Sequence, residues 1–131
     1  MTSIKRFNAQ LLNFAKVLVK RFPSNNELKL GLTGVETLMK VNPKKNVEIF
    51  TAYIYRYRDK IMNKNEDFVL NTNFVNENPD LKGKGAFDIM TQLKSNWSEL
   101  NITDKDNIWK YLQVLITLTD NYIKENVQLN N

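Results

Sequence analysis

The segment Tyr53-Ile54-Tyr55-Arg56-Tyr57-Arg58-Asp59-Lys60 interleaves three tyrosines with two arginines and a lysine. Flat rings beside guanidinium groups suit single-stranded nucleic acid, whose bases stack on aromatics while its phosphates pair with cations. Lys44 and Lys45 extend the positive stretch on one side and Lys64 on the other, while Glu48 and Asp59 interrupt it. On a helix, Ile54 and Tyr57 belong to an apolar stripe that Tyr53 flanks, whereas Tyr55, Arg56 and Asp59 point largely away from it. Lys44, Lys45, Tyr55, Arg56, Arg58, Lys60 and Lys64 thus form the candidate face for a protein partner or for nucleic acid. The competing reading is a solvated flank with the i,i+4 neighbours Tyr55–Asp59 and Arg56–Lys60, the second of them unfavourable.

Other chemistry is scarce. The chain has no histidine and no cysteine, which removes the neutral-pH proton shuttle, the thiolate nucleophile and the commonest zinc and copper ligands. Gly83-Lys84-Gly85 could hold an anion, but a nucleotide-hydrolase loop needs another spacing and a preceding strand. Asn63, Asn65 and Asp67 alternate as calcium ligands do. The sixth and twelfth positions of that loop would be Phe68 and Phe74, where an EF-hand needs glycine and glutamate. Glu66, Asp67, Asp80 and Asp88 lie in polar, solvated segments where raising a carboxyl pKa is difficult. The expectation is no catalytic residue, no cofactor, no metal and no enzyme. Asn96-Trp97-Ser98 and Asn101-Ile102-Thr103 fit the glycosylation sequon by chance in an asparagine-rich chain.

These residues need a scaffold, and composition bounds it. The chain of 131 residues, 42% hydrophobic and 25% charged, reads as one globular domain over 1–126 with a frayed tail at 127–131. A net charge of +5 permits an acidic partner without requiring one. Lys5, Arg6, Lys16, Lys20 and Arg21 break any signal-peptide core, and no apolar run is long enough for a transmembrane segment.

Apolar residues recur with helical spacing almost throughout, so the fold class is all-α: a single-domain bundle of about five helices, with a long irregular segment between helices three and four. Ile4, Phe7, Leu11, Phe14, Ala15, Leu18 and Phe22 mark the first helix, which Pro23 ends. Ser24-x-x-Glu27 reads as a capping box for the second, whose Gly31 and Gly34 suit a close helix neighbour. Asn42-Pro43 opens the third, a continuous rod to about Met62 striped by Val47, Phe50, Ile54, Tyr57 and Ile61. The pattern fails from Asn63 to about Lys84, apart from a short helical turn at Glu66–Leu70. Ala86 to Trp97 forms the fourth helix. Thr103 or Asp104 starts a fifth, whose apolar arc, widened by Trp109, Val114 and Leu118, places it centrally.

Val41-Asn42-Pro43-Lys44-Lys45, followed by Phe50, Tyr53, Tyr57 and Ile61 to Phe68, and the later run Ile108 to Leu115, cover about half the chain. Together they resemble small α-helical proteins of large nucleocytoplasmic DNA viruses. The resemblance implies a viral accessory or virion-associated protein, located in host cytoplasm or virion, and carries no catalytic residues. The functional expectation is a non-enzymatic protein-interaction module with a protein partner or self-assembly. The alternative is a nucleic-acid-associated protein using the basic, tyrosine-flanked face. Membrane-surface binding through the first helix ranks lower, because its apolar face is needed for the core.

Overall fold

The computed structural model describes residues 2–72 and 85–130. Among them are seven α-helices: α1 (Thr2–Arg21), α2 (Asn26–Val41), α3 (Lys45–Tyr53), α4 (Arg58–Met62), α5 (Glu66–Asn71), α6 (Gly85–Asn96) and α7 (Ile102–Asn130). Single 3-10 turns occupy Tyr55–Tyr57 and Trp97–Glu99. The all-helical class is as the periodicity predicts, and the five-helix count is not. The third rod breaks in two, and the short segment at 66–71 is a helix of its own.

α1 carries its apolar stripe into the interior, where Phe7, Leu11, Phe14, Ala15 and Leu18 are buried. α7 runs antiparallel beside it. Phe14 stacks on Tyr111 with ring centroids 5.4 Å apart, and both ends are tied: Ser3 Oγ donates to Glu125 at 2.5 Å, and Arg21 Nε to Asp104 at 3.0 Å. The other principal layer packs α2 against α6. There Gly31 is needed for close approach, since a Cβ at this position would lie 2.9 Å from Ile89 Cδ1. Gly85 opens α6 at φ +23°, and its Cβ would meet the Val35 backbone nitrogen at 2.8 Å. Phe50, Ile54, Ile61, Phe68 and Phe87 close the core between these layers. α7 is not central. Asp106, Lys110, Val114, Thr117 and Asn121 form an exposed row along it, so the wide apolar arc leaves Val114 in solvent.

Local signals explain several boundaries. The expected Ser24–Glu27 box does not form. Asn25 caps α2, its Oδ1 accepting from Leu28 N at 3.0 Å, and Glu27 turns instead to accept a hydrogen bond from Gln92. Asn42 closes α2, its N–H bonded to Leu38 O at 2.8 Å, and α3 begins only at Lys45, with Lys44 giving no side-chain cap. At Ile54–Tyr57 the chain tightens to an i→i−3 bond, Tyr57 N to Ile54 O at 2.9 Å. This shift of helical phase keeps Ile54 and Ile61 buried while turning Tyr55 and Arg58 toward α7. α4 ends in a Schellman motif, with Asn65 N bonded to Lys60 O at 2.8 Å and Lys64 N to Ile61 O at 3.1 Å. Lys64 holds the left-handed position that glycine usually fills, at φ 54°.

The expected turn at Glu66–Leu70 is α5, docked by Phe68 and Val69. Gly83, Lys84, Phe74 and Asp80 lie outside the described residues.

Candidate nucleic-acid interface

The seven residues of the candidate face do not form one surface. Tyr55 is half-buried, and its hydroxyl donates a short hydrogen bond to Asp120 on α7. Arg58 reaches the same carboxylate, Nη2 to Oδ2 at 3.2 Å and Nε to Oδ1 at 3.5 Å. Lys60 pairs with Asp67 at 3.3 Å and Lys64 with Asp106 at 3.8 Å. Arg56 is exposed, with Nη2 3.4 Å from Ala52 O. Lys44 is the N-cap of α3 and Lys45 its first residue. Within the candidate face Lys44, Lys45, Tyr55, Arg56, Arg58, Lys60 and Lys64, the break in the helix and the carboxylates of Asp120, Asp67 and Asp106 engage four of the seven side chains. Asp59, the expected neighbour of Tyr55, lies instead 4.0 Å from Arg58.

Tyr55, Arg58 and Asp120 form a coupled cluster. Burial opposes the charge of Asp120, but hydrogen bonds from Tyr55 and Arg58 and the Arg58 charge outweigh it and hold the carboxyl below its ordinary range. The hydrogen bond to Asp120, with partial burial, raises the Tyr55 phenol. Glu66 is held low by hydrogen bonds from Trp97 Nε1 at 3.1 Å and Lys105 Nζ at 3.2 Å. Asp67 is held low by Asn71 and Lys60. All three of these carboxylates are thus shifted toward the ionised state, the reverse of what a general acid requires.

The calcium-like triplet resolves into capping: Asn65 Oδ1 accepts Asp67 N at 2.9 Å and starts α5. Among the described residues no cluster of three or more potential metal ligands occurs. An open groove of about 370 Å³ lies between the α1–α2 turn and the end of α6, lined by Arg21, Phe22, Pro23, Ser24, Asn25, Asn96 and Glu99. Its cation is committed, since Arg21 bonds both Asp104 and the Glu99 carbonyl.

A different cationic surface emerges on α1. Lys5, Arg6, Lys16 and Lys20 are exposed, and none of them has an ion-pair partner among the described residues. Lys5, Lys16 and Lys20 fall within about 60° of one another around the helix, with Arg6 flanking them, and span about 22 Å along it. Ala9, Asn13 and Val17 fill the intervening exposed positions. Asn8 Nδ2 donates to Pro43 O at 2.9 Å, which seats the turn between α2 and α3 against the buried side of α1. The sequence carries a signal for the cationic surface. No acidic residue occurs in 1–26, and residues 1–45 hold nine Lys and Arg against two Asp and Glu, while 46–131 hold ten against twelve. The whole net charge of +5 therefore comes from the first third of the chain.

Comparison with protein families, with curated proteins and with solved structures finds no match to this chain.

Proposed function

We propose that the protein is a non-catalytic binding module whose ligand is nucleic acid, held through its phosphates by α1. The observation that carries this reading is the cationic row Lys5–Arg6–Lys16–Lys20, which is exposed and has no ion-pair partner among the described residues. Cations already bound to carboxylates release few counterions on meeting a phosphate; unpaired ones contribute fully. The apolar stripe of α1 from Ile4 to Phe22 is buried and Val17 is the one large apolar side chain exposed on this helix among the described residues, so the helix offers its ligand mainly charge. Among the described residues no helix is long and apolar enough to cross a membrane.

Four phosphate contacts give a log–log salt slope of about −3.6, so affinity falls roughly hundredfold between about 50 and 200 mM salt. Fluorescence anisotropy with labelled DNA reads this directly. Lys16→Glu with Lys20→Glu reverses two exposed charges without touching the core, and should flatten the slope by about 2. No binding at the lower salt concentration refutes the proposal.

A second reading, protein docking by self-assembly, rests on α2. Leu30 and Val41 protrude from it, 68% and 72% exposed, with Thr33 and Thr37 between them on the same side. Sedimentation equilibrium tests it: a dimer that Leu30→Lys dissociates supports it, and a monomer at high concentration refutes it. A viral or virion-associated role rests on the sequence resemblance alone.

A further inference from the structure

We infer that the nucleic acid held by α1 is duplex rather than single-stranded, an inference that rests on the phosphate-binding reading above. Proteins that bind single strands without sequence preference combine a basic track with open aromatic platforms on which bases stack. Here the rings pack against the core. Among the described residues every phenylalanine and tryptophan is buried, and the five tyrosines are half-buried against it. Trp97 and Trp109 pack edge-to-face at 5.5 Å, Tyr57 leans on Phe68 at 5.1 Å, and Tyr111 is stacked on Phe14. The Tyr55 hydroxyl is anchored on Asp120, so freeing its ring for a base would break that bond and leave Arg58 to hold the carboxylate alone.

The cationic row favours a stiff ligand. α1 is one unbroken helix of 20 residues laid on the core, so its charges stand at fixed intervals. A duplex presents phosphates already in place at about one charge per 1.7 Å of axis, about twice the density of either strand alone, and stays straight over a length far greater than α1. A single strand would have to be ordered against the row with no stacking to offset that loss. Three of the four row charges are lysines, which act as point charges at phosphates and do not read bases. The same row therefore treats duplexes of different sequence alike.

The test uses the full chain with a labelled 20-base-pair duplex and a labelled 20-nucleotide oligothymidine, by anisotropy at about 50 mM salt, while intrinsic tryptophan emission is recorded. The expected result is duplex affinity at least tenfold above that for oligothymidine, little change in tryptophan emission, and similar affinity for a second duplex of unrelated sequence. Lys16→Glu with Lys20→Glu should lower duplex affinity at least tenfold while the circular dichroism melt falls by no more than a few degrees, since Lys20 stands in the last turn of α1. Equal or tighter binding of oligothymidine, or strong tryptophan quenching by it, overturns the duplex preference and leaves phosphate binding standing. Binding of neither nucleic acid overturns both readings, as does binding of anionic phospholipid vesicles alone.

Discussion

The close contact of α2 with α6 at Gly31 lends itself to a quantitative test. A methyl group on residue 31 would stand 2.9 Å from Ile89 Cδ1 and 3.3 Å from Ile89 Cγ1. Ile89 is fully buried, so its side chain cannot move aside into solvent. Gly31→Ala gains about 1 kcal/mol of helix propensity and incurs about 1–3 kcal/mol of overpacking, leaving a net loss of about 1 kcal/mol. Ile89→Val deletes Cδ1 and costs about 1 kcal/mol on its own, as buried methyl deletions do. The double variant places the new methyl in the space the old one vacated. Independent sites would lose about 2 kcal/mol together. Compensation should hold the loss below about 1 kcal/mol, a coupling of at least about 1 kcal/mol in favour of the pair. Urea denaturation of the four proteins, followed by far-ultraviolet circular dichroism with a common m-value, measures the cycle. Additivity within about 0.5 kcal/mol would show that Gly31 and Ile89 do not oppose each other, and the account of this helix contact would fail.

Other consequences are as direct. Asn25→Ala should remove about 1 kcal/mol of stability, while Ser24→Ala leaves the urea midpoint nearly unchanged; the reverse order would restore the Ser24 box. Lys64→Gly should raise stability by about 0.5–1 kcal/mol, because the left-handed position strains a side chain that glycine lacks, and a lower thermal midpoint would contradict the assigned Schellman geometry. With its phenol raised in the folded state, Tyr55 contributes stability that is present below its ordinary value near pH 10 and is lost as pH rises through the folded value. Asp120, held low, contributes stability that is present above about pH 4 and is lost on acidification through its folded value. Tyr55→Phe should therefore flatten the alkaline limb of the urea midpoint, and an unaltered limb would argue against the Asp120 bond. Protonation of Glu66 should shift tryptophan emission with a midpoint below the ordinary glutamate value of about 4.3, a transition that Glu66→Gln abolishes if Trp97 donates to this carboxylate.

What periodicity shows well is burial, since it depends on spacing alone. Every residue of the predicted α1 stripe, from Ile4 to Phe22, is buried, and so are Ala86, Phe87, Met90, Leu93 and Trp97 of the fourth predicted helix. The break at Ile54–Tyr57 leaves little trace by this criterion: Val47, Phe50, Ile54 and Ile61 of the predicted stripe are buried on both sides of it, and Tyr57 is half-buried. The Ser24 and Asn25 caps are adjacent, and both suit the position chemically, so only the partner chosen by Glu27 separates them. The dispersal of the candidate face has a different origin. Tyr55 and Arg58 find Asp120 more than sixty positions away in the chain, and Lys64 finds Asp106, so local sequence could not reveal that these cations were neutralised. The α1 row was legible in principle. Its signal is an absence of acids over 26 residues, which no local motif of aromatic and basic residues marks.

The antiparallel embrace of α1 and α7, clasped by Ser3–Glu125 at one end and Arg21–Asp104 at the other, has a temporal side. Translation delivers α1 well before α7, so on the ribosome Phe14 waits while the intervening residues are made for the ring of Tyr111. At about 5–20 residues per second, that wait lasts several seconds or more. A nascent chain stalled before residue 102 should accordingly be sensitive to protease within α1, and release of the final helix should confer resistance there and at the opposite pole together.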